Sequence, residues 1–153
     1  MITKIVSGGQ TGVDRAALDI ALQRGIPTGG WCPRGRRAED GRIPDEYVLQ
    51  ETDSKNYSQR TGRNVEESDG TLILRGGRLT GGTALTRTVA TQNGSPVLVV
   101  DLRQEADFLA VEQWLAANRI RTLNVAGPRE SQQPDIHDKA CEWLSRLLDQ
   151  IQT

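Results

Sequence analysis

The chain has 153 residues, with 19 Lys and Arg, 20 Asp and Glu, one His and a net charge of −1. A length of that order suits one domain, here residues 1–153, with a proper core. Near-neutral charge excludes a general nucleic-acid or anionic-membrane binder, which needs a basic excess to release counterions.

No apolar run reaches the roughly 18–20 residues of a membrane span. The start, Met1–Val6, passes into a strand and lacks the apolar stretch and cleavage site of a signal peptide. Cys32 and Cys141, far apart and with a single His, make a poor zinc set. The expectation is a cytoplasmic protein with no tightly bound metal and with neither nucleic acid nor membrane as partner. Of the 19 basic residues, 16 are Arg, whose planar fork grips oxyanions bidentately.

Along the chain, Ile2–Val6 reads as a strand, broken at once by Gly8, Gly9 and Gly12. A helix follows, with Val13, Ala16, Ala17, Ile20 and Ala21 at helical spacing and Gly25 at its C′ position. Ile26–Gly29 suits a short strand, and residues 30–43, without either period, a loop over the sheet. Tyr47–Glu51 suits another short strand and Tyr57–Glu67 a polar helix. Thr71–Leu74 is a core strand that leads into the glycine-rich segment 75–83. The helix Ala84–Gln92 stops at Gly94 and Pro96, and Val97–Val100 suits a strand buried on both faces. A helix over 105–118 carries Trp114, Thr122–Ala126 is the last strand, and a closing helix carries Ile136, Ala140, Trp143, Leu144, Leu147, Leu148 and Ile151 on one stripe.

That alternation predicts an α/β fold: a single Rossmann-like three-layer domain, with a mostly parallel sheet and helices on both faces. Ligands of such sheets bind outside the carboxyl ends of the strands. The segments Ser7–Asp14, 75–83 and 127–131 all leave strands at that edge.

Gly8, Gly9, Gln10, Thr11 and Gly12 open a helix directly after a strand, where free N–H groups and the helix dipole suit a phosphate. The segment is no Walker loop, since no Lys-Ser/Thr pair follows Gly12. Ser7 stands where the first Gly of G-x-G-x-x-G belongs, and no acid follows about 20 residues on, so a dinucleotide site is not expected. Thr11 and Asp14 have the spacing of a capping box. Thr80, Gly81, Gly82 and Thr83 form a second cradle, and Arg129 offers a third anion contact. Trp31, Arg34 and Arg36 lie on a loop suited to stack on a heterocycle and hold its oxyanions. Arg60 and Asn64 share a helix face, where a solvated salt-bridge surface is expected in preference to a reach toward the site. Cys32 and His137 offer little: one thiol is thin for a soft metal, and no triad surrounds the His.

These segments together resemble the molybdenum carrier family. The resemblance is carried by Ser-Gly-Gly-Gln-Thr-Gly-Val-Asp-Arg (7–15), Gly-Gly-Trp-Cys-Pro-Arg-Gly-Arg (29–36), Ala-Glu-Asp-Gly (38–41), Arg60-Thr-x-x-Asn64, Ser-Asp-Gly-Thr-Leu-Ile (68–73), Leu-Thr-Gly-Gly-Thr (79–83) and Asn-Val-Ala-Gly-Pro-Arg-Glu-Ser (124–131). That family is a circularly permuted branch of the Rossmann-like superfamily containing the LOG phosphoribohydrolases. The resemblance implies a phosphorylated nucleotide-like ligand at the glycine loops, with Arg15 inside the first motif. The molybdenum cofactor is such a ligand, carried as cargo. It also implies a homo-oligomer, dimer or tetramer, for which the amphipathic helices bearing Trp114 and Trp143 are the expected faces.

One departure bears on chemistry. The LOG motif P-G-G-x-G-T-x-x-E ends on a catalytic Glu, and Thr86 stands in its place. A hydroxyl cannot replace a carboxylate beside a developing oxocarbenium ion. The expected function is therefore binding or carriage of a phosphorylated ligand, with molybdenum cofactor or molybdate as candidates and no catalytic residue assigned. The alternatives are a hydrolase using Asp14 with Glu51 or Asp69, and a nucleotide sensor.

Overall fold

A computed structural model of the chain describes residues 1–79 and 81–152. Strand β1 (Lys4–Val6) leads into helix α1 (Val13–Gln23), which buries Ala16, Ala17, Ile20 and Ala21 as the helical period requires. Past Arg24 the chain turns sharply: Gly25 N–H donates to the Leu22 carbonyl and Ile26 N–H to that of Ala21, the two bonds that close a helix end. The short β2 (Thr28–Gly29) follows. Further on come α2 (Tyr57–Glu66), capped by the Asn56 side chain accepting from Ser58 N–H, and β7 (Gly70–Arg75), numbered after four short strands described below. The chain continues through α3 (Gly81–Gln92), β8 (Val97–Asp101), α4 (Phe108–Ala117), β9 (Thr122–Ala126) and α5 (Ile136–Ile151).

The main sheet has five strands in the order β2-β1-β9-β7-β8, and every neighbouring pair is parallel. The architecture is Rossmann-like α/β. Side chains alternate across each strand, so Leu72, Leu74, Leu123 and Val125 face one side. There they join α1, α4 and α5 in a core closed by Leu144, Leu147 and Leu148. Thr71, Ile73, Asn124 and Ala126 face the opposite layer, where α2 lies against α3. The first strand is thus hydrogen-bonded to the last, Ile5 in register with Leu123, and the two ends of the chain meet. Ile2 N–H donates to Gln152 Oε1 at 2.8 Å, and Gln152 Nε2 donates back to the Ile2 carbonyl at 3.0 Å.

Two expectations are corrected here. Residues 30–43 are more than a loop: β3 (Trp31–Cys32) pairs in parallel with β6 (Gln50–Glu51), and β4 (Arg37–Ala38) pairs with β5 (Gly41–Arg42) as a tight hairpin. Strands of two residues have too few positions to show a period. Their segment nevertheless packs Cys32, Ala38, Ile43 and Tyr47 against Leu18 of α1 as a second core. Trp143 offers no free face for self-association, because it is buried with its ring 5.3 Å from that of Phe108. Trp114 is also partly buried against the main core. No described helix is long and apolar enough to cross a membrane.

Candidate functional site

At the carboxyl ends of β1, β9 and β7 a polar cleft opens between the two glycine-rich segments. Gln10 and Asp14 line it from the β1 side, Arg60 from α2, Gly82, Thr83 and Thr86 from α3, and Gly127 and Arg129 from the loop after β9. The three odd loops do converge on one edge of the sheet. What they present there is mostly side chains.

Arg60 dominates the cleft electrostatically. Its residue is 8% exposed, and its Nη1 lies 3.6 Å from Asp14 Oδ2. Among the described residues the guanidinium makes that ion pair and no hydrogen bond. Arg129 and Arg37 crowd the same place: the guanidinium carbons of Arg129, Arg37 and Arg60 lie 4.6, 5.2 and 5.7 Å from the centroid of the Tyr57 ring. An aromatic face stabilises guanidinium groups held over it, so one Tyr gathers three cations at the mouth. Against them Asp14 is the one carboxylate among the residues lining the cleft. Burial pushes its carboxyl above the usual carboxylate value, although Arg60, the Gln10 N–H, Arg129 and Arg15 all pull downward. The Gln10 N–H donates to Asp14 Oδ2 at 3.2 Å. Asp14 therefore accepts at the turn before the helix, while Gly12 is the residue at the cap. The capping-box reading fails because Thr11 Oγ1 is used elsewhere.

The first glycine loop is closed by the protein itself. Gly12 has φ +80°, and an ideal Cβ there would overlap the Pro128 carbonyl and sit 2.9 Å from Arg129 C. Gly9 faces Leu49 and Ile43, and Gly8 backs onto the Arg60–Asp14 pair. Thr11 Oγ1 donates to Glu39 at the hairpin tip and accepts from Glu130 N–H at 3.2 Å. Glu39 also takes the Ser131 hydroxyl. Burial works to raise Glu39, but the bonds from Ser131 and Thr11 outweigh it and hold the carboxylate low. The second segment differs: a Cβ on Gly82 would meet nothing within 4 Å. Thr83 is buried in the wall, and Gly81 lies near Gln132. Thr80 falls outside the described residues.

Other expected ligand residues stand away from the cleft. Arg36 is buried, but its guanidinium donates to the carbonyls of Ile43, Pro44 and Tyr47, which holds the 43–47 turn. Arg15 donates to the Gly9 carbonyl and pairs with Asp40, on the far side of the loop from Asp14. Trp31 exchanges backbone bonds with the Asn64 amide, donates from Nε1 to Glu67, and lies under Arg63. Arg34 is exposed. Of the carboxylates weighed with Asp14, Glu51 is exposed and accepts from Gly35 N–H. Asp69 accepts from Arg121 and Thr122 N–H at the opposite end of the sheet. A two-carboxylate arrangement is not assembled in this cleft.

The arrangement suits recognition of an anion. A family model described as the circularly permutated YpsA SLOG family matches residues 5–148. The chain belongs to that family. The crystal structure of the "Putative molybdenum carrier protein" from Syntrophus aciditrophicus SB is similar to it at 47% identity, with a TM-score of 0.91, over 96% of this chain and 95% of that one. No curated protein matches. Thr86 lines the wall, 4% exposed, with Oγ1 donating back to the Gly82 carbonyl at 2.9 Å.

Sequence reasoning undervalued Arg60 and missed Tyr57 as a neighbour of the site. The i, i+4 spacing of Arg60 and Asn64 was a usable signal, since both are buried and face inward. Tyr57 gave no signal, because a half-exposed Tyr at the start of a polar helix has many ordinary uses.

Proposed function

We propose that the chain is a binding or carrier protein for a small phosphorylated, nucleotide-like ligand, with molybdenum cofactor or molybdate as candidate cargo. The observation that carries this reading is the buried Arg60 guanidinium, hydrogen-bonded to nothing among the described residues and flanked by Arg129 over Tyr57. A guanidinium held in place by an ion pair but making no hydrogen bond still has donors to offer an oxyanion. Thr83 and the open Gly82 at the start of α3 lie on the same wall, where the helix dipole also favours negative charge. The molybdenum cofactor ends in a phosphate, and these groups suit that end. The thiols do not join them: Cys32 is in the second core and Cys141 lies beside His137 on α5. The printed name of the Syntrophus relative supports a carrier role. A cytoplasmic homo-oligomer, dimer or tetramer, belongs to the same reading, and light scattering would return a multiple of 16.8 kDa.

The test is retention of purified molybdenum cofactor and of nucleoside monophosphates by wild type and by Arg129→Ala. The wild type retains ligand, and the variant binds on the order of ten-fold more weakly with an unchanged melting temperature, because a charge-assisted contact is lost. Failure of the wild type to retain any of these ligands would sink the proposal.

A further inference from the structure

We infer that Gln10 makes the cleft selective for an oxyanion that still carries a proton: the site takes a phosphate group with a P–OH and rejects sulfate and molybdate, which have none. This rests on the reading of the cleft as an anion site and specifies which anion fits.

Gln10 is 2% exposed, and its Nε2 donates to the Arg37 carbonyl at 2.8 Å. That bond fixes which end of the amide is nitrogen. The other end, Oε1, is buried and has no hydrogen-bond partner among the described residues. In the same cleft Arg60 Nε is also buried and without a partner. Such groups are rare in native proteins, and each asks for an explanation. Here the residues that carry an orphaned acceptor and an orphaned donor both line one cleft.

A ligand that only accepts satisfies half of that pair. Sulfate and molybdate are fully deprotonated at neutral pH. Seated on Arg60, either would set an oxygen against Gln10 Oε1 and the Asp14 carboxylate with no proton between them. A phosphate that keeps one proton resolves both, since its P–O⁻ accepts from Arg60 while its P–OH donates to Gln10; inorganic phosphate keeps one as either of its anions, and a monoester as its monoanion, at or below about pH 6. A site whose buried polar group is left unpaired by the wrong ligand discriminates by orders of magnitude, more sharply than any apolar pocket. The consequence for cargo is specific: the protein grips a phosphate end and not free molybdate.

Calorimetric titration of the full chain at about pH 6, where a phosphate monoester is about half monoanion, and at constant ionic strength tests this with inorganic phosphate, glycerol 3-phosphate, sulfate and molybdate. Phosphate or its monoester should bind at least about ten-fold more tightly than sulfate or molybdate. Whichever of the two phosphates binds better distinguishes a free anion from an ester as the natural source. Gln10→Leu, checked by its melting temperature, should bring phosphate down to the level of sulfate. A folded Gln10→Leu protein that keeps its preference would overturn the role of Gln10. If the variant does not fold, the wild-type series still decides. Sulfate or molybdate binding as tightly as phosphate in wild type, and lost in Arg129→Ala, would overturn the selectivity while leaving the anion site standing. No binding by any anion, or binding indifferent to Arg129→Ala, removes both.

Discussion

The segments 8–12 and 81–83 look alike in sequence, each glycine-rich with a threonine at a helix start, yet they serve opposite ends. Around Gly12 the backbone of one loop lies against the backbone of another, with no room for a Cβ between them and the Pro128 carbonyl. Around Gly82 there is room, and the room opens on the cleft. Glycine in the first segment permits contact inside the protein, and in the second it leaves space for something outside it. A glycine cluster is thus no more a ligand site than a packing site until its surroundings are known.

Substitutions separate the two roles. The largest effect is expected at Gly12→Ala, which combines a left-handed φ of +80° with overlap on the Pro128 carbonyl. Backbone strain and overpacking each cost on the order of 1–3 kcal/mol, so about 3 kcal/mol of stability should go, measured by urea denaturation. A loss below about 1 kcal/mol would mean that the loops are not locked together. Next comes Gly82→Val, which should change stability by less than about 1 kcal/mol yet weaken phosphate binding ten-fold or more. A Gly82→Val protein that binds phosphate as wild type does would break the contrast.

The smallest effect concerns the closed side of the first loop. There His137 Nε2 lies 2.8 Å from Asp19 Oδ2 and Nδ1 lies 3.1 Å from Asp138 Oδ1, tying α5 to α1. Burial disfavours the charged ring, but the hydrogen bonds to Asp19 and Asp138 outweigh it, so the folded pKa lies above the ordinary 6.5. A raised pKa means that the folded state holds the proton more tightly. The contribution to stability is complete below the unfolded value and is lost as pH rises through the folded one. Wild type should therefore melt above His137→Gln at about pH 6, with the difference gone by about pH 9. A pH-independent difference would show that the imidazolium plays no part.

Much of the fold was legible because its signals are local. Alternating apolar runs gave β1, β7, β8 and β9, and helical spacing gave α1 and α5, within a few residues of where they lie. The site was legible only as far as the edge of the sheet. Periodicity shows that Arg60 and Asn64 share a face, but not that the face meets Asp14, 46 positions earlier in the chain, since that depends on how α2 settles against α3 and β3. Arg36 fails as a ligand for a similar reason: its partners are carbonyls seven to eleven residues ahead, in a turn with no period to announce it. Gln10 was named from its loop, but its unpaired oxygen exists only once the Arg37 carbonyl has taken the nitrogen.

The clasp between Ile2 and Gln152 bears on ancestry. Because the two ends of the chain are held within hydrogen-bonding reach of one another, a few linking residues would join them without disturbing any strand. The closed ring could then be cut at an exposed connection, such as the Asn93–Pro96 turn between α3 and β8, and the order β2-β1-β9-β7-β8 would survive with every neighbour unchanged. A circular permutation of this kind would move the ends of the chain around an unaltered sheet. The cleft, assembled from four separate stretches of the chain, would come through the change with its residues in the same places and only their numbers altered.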